Sequence, residues 1–399
     1  MKLFPAKQKT EYAILLDIGS GSVSLTVIDL YDKNKKIVWG EREQLLLKSL
    51  EDVNRSAKQI MTATADLLMR FHSKGVKTLN SGEKKALFSI MQVSVAAPFA
   101  HTVSKKVFYQ EKEPFTLNKD LLKNLFATAL EKIVKNEEEI TEELSLVAKS
   151  RTVIEEKANG YPISVPKQQK VKKLELALLT TFLNTYIDNE LNELQEKLFP
   201  ETKYFNYSFI SMLYLVLKDI NPKLQEYCLV NQTLEATELA VVRDGVLTYT
   251  TYDEYGIASL IREISETIGN PIEEVFASIK SDVFSAQYEK LSAKKRKKID
   301  GILQNYEQRI VDLLEQTGDS FTIPKSIYLH TVSCTYDFFA ERIEKGAEKT
   351  TGFGHIVHNL SADSLRMSDK KTIKEKSCIE LVSQYFFHNC AESVRYKQI

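Results

Sequence analysis

The residues best suited to chemistry in this chain form one short run, Asp17-Ile18-Gly19-Ser20-Gly21-Ser22. It combines a carboxylate, two glycines and two hydroxyls at the end of an apolar stretch. Glycines let main-chain N–H groups approach an anion and form a concave nest of donors. A carboxylate at the end of a strand suits a hard cation, which prefers oxygen ligands. The chemistry these residues offer is a phosphate cradle with room for a metal beside it.

Other candidate groups point to less. His355 and His358 have a spacing sometimes seen in zinc ligands, with Glu348 and Asp363 the nearest carboxylates, but no cysteine is close and packing is the plainer reading. His388 and Cys390 flank one residue, yet a nucleophilic pair needs a third, orienting group and a pocket. The four cysteines, Cys228, Cys334, Cys378 and Cys390, form no C-x-x-C pair and suggest neither a zinc site nor a disulfide framework. Neither a Gly-x-Ser-x-Gly elbow nor a Gly-x4-Gly-Lys-Ser/Thr loop is present. Lys294-Lys295-Arg296-Lys297-Lys298 reads as a solvated helix face beside Asp300.

The elements that must position the cradle are legible from periodicity. An apolar strand over 12–16 leads into the glycine turn, and a second strand over 23–30 leaves it, giving a β-hairpin. A helical spacing covers 43–74. Strands follow at 89–96 and 103–109. A helix capped by Asn118 runs to about 135, and 137–143 is a solvated loop or helix start. Residues 152–158 are extended, and Asn159-Gly160-Tyr161-Pro162 signals a turn. A strand begins at Lys173, with helices at 188–198 and 207–217. A second strand–turn–strand unit then spans 227–230, 231–236 and 237–243, with Asp244-Gly245 turning into 246–252. Helices at 257–268 and 288–316, a strand at 326–329, a loop-rich stretch at 346–364 and a last helix at 373–388 complete the chain. Both halves therefore open on a hairpin, a weak internal duplication.

The start, LLDIGSGSVSLTVIDL, resembles the first phosphate motif of the actin-like superfamily, and most closely its FtsA and PilM branch. The segment beginning YCLVNQTLEATELAVVRDG is similar to that family's second phosphate hairpin. The run QVSVAAPFAHTVSKKVFYQEKEPFTLNKDLLKNLFATAL resembles the SHS2-type subdomain inserted in the first lobe. The resemblance covers about residues 11–345. It implies an α/β protein of the actin-like, duplicated ribonuclease H-like fold, with two lobes around a cleft. The first lobe is expected at 1–85 plus 166–225, the SHS2-like α+β insert at 86–165, and the second lobe with the C-terminal tail at 226–399.

The resemblance also implies ATP and Mg²⁺ as cofactors, held by Asp17, Gly19, Ser20, Gly21, Ser22, Thr237 and Lys280. Here the chain departs from the pattern. Where the family carries Asp-x-Gly-Gly, this sequence has Asn231, Gln232, Thr233 and Leu234, losing the metal-binding charge and adding bulk where phosphate should approach. Where the adenosine motif presents Gly-Gly, it has His330-Thr331-Val332-Ser333-Cys334. The acid expected three residues before Lys280 is Ala277. Together these losses imply a vestigial or weak nucleotide site with no catalytic residues and no dedicated metal site.

Composition fits this class. Of 399 residues, 43% are hydrophobic and 27% charged, enough to bury a core. Lys plus Arg and Asp plus Glu stand at 54 each, so no global field favours nucleic acid or an anionic membrane. No signal-peptide core and no membrane-spanning run is seen, which implies a cytoplasmic protein, peripheral at most to the inner face of the membrane. The functions implied are an FtsA-like scaffold coupling protein partners to a membrane machine for cell division, or a PilM-like type IV pilus assembly platform that binds a peptide tail. A working ATPase or kinase is the third alternative. Partners are expected among cytoplasmic or membrane-associated proteins, or copies of the chain itself.

Overall fold

The computed structural model describes residues 10–32, 37–45, 53–80, 85–163, 169–318, 323–331, 335–360 and 378–396. The first apolar run forms β1 (Glu11–Ile18), and Gly19–Gly21 turn it into β2 (Ser22–Asp29), followed by β3 (Ile37–Gln44). Helix α1 (Val53–Arg70) continues through a π turn at Phe71–Gly75 into α2 (Val76–Leu79), and β4 (Leu87–Val95) returns to the sheet. Of the helical spacing expected over 43–74, residues 53–74 are helical, 43 and 44 are not, and 46–52 lie outside the described residues. Residues 43 and 44 close β3, whose alternation is masked by the charges of Glu41, Arg42 and Glu43.

A second unit is inserted next. It comprises β5 (Ala100–Leu117), α3 (Lys119–Asn136), α4 (Glu138–Glu143), β6 (Leu146–Ala158), β7 (Tyr161–Pro162) and β8 (Gln169–Asn184). Asn118 caps α3 as its sequence position suggests, its side chain accepting from the Leu121 N–H at 2.9 Å. Asn159 and Gly160 adopt the positive φ that their turn requires. Then α5 (Thr185–Leu198), β9 (Lys203–Ser208) and α6 (Phe209–Ile220) lead to the second half of the chain.

That half repeats the first. A meander of β10 (Tyr227–Gln232), β11 (Thr237–Arg243) and β12 (Val246–Asp253) is followed by α7 (Ile257–Ile268), α8 (Ile272–Lys280), α9 (Phe284–Glu289) and α10 (Ala293–Glu315). Next come β13 (Ser326–His330), α11 (Tyr336–Thr351), β14 (Ile356–Asn359), α12 (Cys378–Tyr385), a π turn and α13 (Ala391–Tyr396). The stretch expected to be loop-rich from 346 is helical up to Thr351 and includes β14. Residues 361–377, which hold the start of the expected last helix, lie outside the described residues.

The duplication is explicit in the sheets. The first has order β3-β2-β1-β4-β9 and the second β12-β11-β10-β13-β14. In each, three antiparallel strands are joined to two parallel ones, with β1 pairing β4 and β10 pairing β13 in parallel. The third sheet, β5-β8-β6-β7, lies wholly within the insertion. Strand pairing therefore puts 87–95 with the first sheet and 169–184 with the third, so the boundaries 86 and 165 assign each of these strands to the wrong unit. Apolar pattern alone marks a strand without saying which sheet receives it.

Helices cover the sheets through separate apolar faces. One face of the first sheet packs on α1 and α5, through Ile14, Leu16, Ile60, Leu67 and Leu191. The outer face of the second sheet packs on α7, α8, α10 and α11. Between the two sheets lie α6 and the C-terminal helices, joined by Leu213, Tyr214, Leu229, Val242, Val382 and Phe386. Residues 209–214 of α6 are buried without interruption, as expected of a helix enclosed on all sides. Phe387 extends this layer onto Ala13, Leu15 and Ile28 of the first sheet. Among the described residues, no helix is long and apolar enough to cross a membrane.

Candidate functional site

The two glycine-turn and polar-turn hairpins, β1–β2 and β10–β11, meet tip to tip. The Ser20 hydroxyl lies 2.6 Å from the Thr233 hydroxyl and accepts the Glu235 main-chain N–H at 2.8 Å. Leu234 lies on Gly21: a Cβ at Gly21 would stand 2.8 Å from Leu234 Cδ1 and 2.9 Å from its Cβ. The glycine permits close approach, but the surface it admits is a leucine of the same chain. Gly19 donates its N–H to the Ser22 carbonyl at 2.8 Å, which closes the turn.

Asp17 ends β1 beneath this contact, buried at 2% exposure. Its carboxylate accepts from the Ser94 hydroxyl at 2.5 Å, from Ser24 at 3.5 Å and from Ser383 on α12. Burial pushes its pKa up to about 7; the Ser94 and Ser383 hydrogen bonds oppose the rise and the nearby Glu380 adds to it. Arg42 is the cation of this cluster. Its guanidinium donates to the Ser22 hydroxyl at 3.1 Å, and burial lowers its pKa against the pull of Glu380 and Asp17. Asp17 is therefore enclosed by serines and by the C-terminal helix.

The second hairpin is fixed from within. Asn231 donates to Glu238 at 2.5 Å and sits 2.8 Å from His330 Nδ1, whose ring packs on Phe209. Glu238 also accepts from the Ala97 N–H, a contact that crosses from the second sheet to the end of β4. Burial raises its pKa to about 7 despite those two hydrogen bonds. Gln232 donates to the Tyr306 hydroxyl at 2.6 Å and accepts from Thr331 at 3.1 Å. Glu235 at the tip is 1% exposed and held by both terminal nitrogens of Arg262 at 2.6 Å, with Ser259 donating at 3.1 Å. The Thr237 hydroxyl donates to the Tyr255 carbonyl at 2.8 Å.

The structure thus brings Asp17, Gly19, Ser20, Gly21 and Ser22 to one place and sets Thr237 at the base of the opposing hairpin. Lys280 is not gathered in. It ends α8 exposed, with its ammonium 4.3 Å from the Phe276 ring on its own helix. Of the adenosine-motif segment, His330 and Thr331 are buried and hydrogen-bonded, whereas 332–334 lie outside the described residues. Sequence reasoning missed Glu235, Arg262 and Glu238. Glu235 and Arg262 stand 27 positions apart, beyond the reach of any local spacing rule.

These residues do not fit ATP and Mg²⁺. The glycine space is filled by Leu234, the Ser20 and Thr237 hydroxyls are engaged within the chain, and Asn231 supplies no charge. Among the described residues, no group of three or more His, Cys, Asp or Glu side chains is placed to hold a metal. His355 bonds Thr351 at 2.8 Å and stacks on Phe353, while His358 stacks on Tyr328, so both pack. The buried Cys390 thiol is pushed up to about 12 by burial, which leaves it a poor nucleophile.

No protein-family model and no curated protein matches the chain. Solved structures do. A PilM–PilN type IV pilus biogenesis complex aligns over 94% of this chain and 96% of its own, at 10% identity and a TM-score of 0.57. A Bacteroides thetaiotaomicron protein of unknown function, described as having an actin-like ATPase fold, covers 92% and 100% at 10% identity, with a TM-score of 0.42. The ethanolamine utilization protein EutJ from Carboxydothermus hydrogenoformans covers 89% and 85% at 12% identity, with a TM-score of 0.38. With its duplicated meander sheets and facing hairpins, the chain has the actin-like ATPase fold.

Proposed function

We propose that this chain is a nucleotide-independent scaffold of the PilM kind, which binds a protein partner rather than turning over ATP. The observation that carries the reading is the tip-to-tip contact of the hairpins, Ser20 on Thr233 and Leu234 on Gly21. Groups that would have to face phosphate face each other instead. The likeness to PilM in its complex with PilN supports a pilus-assembly platform, with the third sheet as its SHS2-like insert. An FtsA-like division role rests on the same fold but gains less support. That role calls for an amphipathic helix lying on a membrane, whereas α12, the π turn after it and α13 bury Leu381, Val382, Phe386 and Val394 between the sheets. Location at the inner face of a membrane would then come through the partner.

The test is calorimetry of the full chain with ATP and Mg²⁺, at a protein concentration that registers weak binding, paired with a melting curve. No heat and an unchanged Tm are expected. Saturable binding with a raised Tm would sink the reading and restore an ATP-regulated scaffold or an enzyme. Flotation with vesicles containing anionic lipid separates the two scaffold roles: the chain alone is expected to stay unbound.

A further inference from the structure

The insertion ends in an edge strand that the second half of the chain covers only at its base. Strand β5 is the outer strand of the third sheet, paired with β8 on one side alone. At its start it runs beside β12: Ser104 donates to the Leu247 carbonyl at 2.5 Å, and Thr250 donates to the Thr102 carbonyl. The two strands are antiparallel there, so β12 runs out at Val246 as β5 passes Lys105. From Lys106 to Gln110 the outer edge of β5 meets no further strand among the described residues. Beyond Gln110 the ladder with β8 is interrupted until Phe115.

The open stretch carries apolar side chains on both faces. Phe108 is 62% exposed on the solvated face, opposite Glu175 of β8. Val107 and Tyr109 lie half-buried on the other face, at the margin of the core beneath α3. An unpaired edge flanked by exposed apolar groups is a template for another strand. The charges select which strand. Lys105 stands three positions before Phe108 and Glu111 three after it, with Lys106 beside the first. A neutral or basic strand laid on this edge leaves the lysines uncompensated. A second β5, antiparallel about a two-fold axis at Phe108, sets Lys105 opposite Glu111, Lys106 opposite Gln110 and Val107 opposite Tyr109. Each of these contacts is made twice, and the two Phe108 side chains face each other at the centre. A parallel arrangement in the same register sets lysine on lysine. Opposite-charge and aromatic cross-strand pairs stabilise, whereas like charges directly opposite do not. With Lys plus Arg and Asp plus Glu equal at 54 each, no net charge drives two copies apart.

We propose that residues 105–111 of β5 are a self-association surface, on which a second copy of this chain adds its own β5 antiparallel about a two-fold axis at Phe108. The two third sheets then join into one continuous sheet. The interface uses the same patch on both copies and closes on itself, so assembly stops at the dimer. This goes beyond the scaffold reading and holds whether or not nucleotide binds.

The test is sedimentation velocity of the full chain over a range of concentrations. A monomer–dimer equilibrium is expected, with no larger species. Phe108→Ser should weaken the dimer about ten-fold or more, the loss expected on removing a central interface aromatic. Because Phe108 is exposed in the single chain, the Tm of the monomer should not fall. Lys105→Glu and Glu111→Lys should each weaken association by setting like charges opposite one another. The two together should restore it, which a general loss of folding would not do. Phe108→Cys reads the geometry directly. Residues directly opposite across antiparallel strands have Cα atoms ~4.5–5.5 Å apart, within reach of a disulfide, so mild oxidation should give a covalent dimer. Tyr161→Cys, 76% exposed on the opposite edge of the same sheet, should not. A monomer at every concentration, species larger than a dimer, or a dimer indifferent to these substitutions overturns the proposal.

Discussion

At the scale of single residues, the decisive pair is Gly21 and Leu234. A glycine at a hairpin tip usually invites the reading that a ligand approaches it, yet here the approaching group is Leu234 Cδ1. Gly21→Ala should therefore overpack the contact and cost roughly 1–3 kcal/mol in urea unfolding. In a Leu234→Gly background the same change should cost far less, because neighbouring substitutions that share one contact are not additive. Equal costs in both backgrounds would place the hairpin tips apart. Glu238 gives a second residue-scale prediction. Its folded pKa, about 7, stands above the ordinary 4.5, so the folded state holds its proton where the unfolded chain has released it. Stability is then lost as pH rises from about 4.5 to 7, by up to roughly 3 kcal/mol at ~1.4 kcal/mol per pKa unit. Glu238→Gln keeps the acceptor for Asn231 and Ala97 and should flatten that part of the stability–pH curve. Asp17, raised in the same direction, should leave a residual slope of the same sign.

At the scale of elements, the C-terminal helices are structural members. Phe386 is fully buried between the sheets, its ring 4.9 Å from Tyr207. Phe386→Ala should cost about 3–5 kcal/mol, the range for large-to-small core changes, read as a shift in denaturation midpoint at constant m-value. Elements were also where the sequence was most and least legible. The opening hairpin of the first half and the β11–β12 turn could be read because Gly19-Ser20-Gly21 and Asp244-Gly245 interrupt apolar runs, and the mostly polar run 231–236 marks the opening hairpin of the second half. Helix α6 stands out because 212–217 run apolar without interruption. Strand β3 escapes the sequence pattern because the charged Glu41, Arg42 and Glu43 break its apolar alternation; α11 (Tyr336–Thr351) falls partly in a stretch with no assignment and partly in the expected loop-rich stretch from 346. What joined these elements was not legible: the pairing of β4 with β1, the closure of the third sheet by β8 and the Glu235–Arg262 bond all depend on contacts remote in sequence. The cradle's residue types were likewise readable, but not that its hydroxyls would turn inward.

At the scale of the whole molecule, the contacts between the halves are made by the protein itself. The hairpin tips, the Glu238–Ala97 hydrogen bond and the Ser104 and Thr250 hydroxyls each cross from one sheet system to another. The layer of α6 and α12 is shared by the first and second sheets, so neither half can unfold without exposing apolar surface of the other. In a domain pair hinged around a ligand, the interface is thin and motion is the default expectation; here the shared layer opposes that motion. Calorimetry should therefore give one transition, with the calorimetric enthalpy matching the van't Hoff value, unmoved by ATP and Mg²⁺. Arg262→Ala should lower that single transition, because it leaves Glu235 buried beside the tip contact without its charge partner, a loss of about 3–5 kcal/mol. If the variant instead splits the melt in two, the tip contact alone holds the halves together and the shared helical layer does not. A wild-type melt that is already split would mean that the halves move independently, and a cleft able to open for nucleotide would again have to be considered.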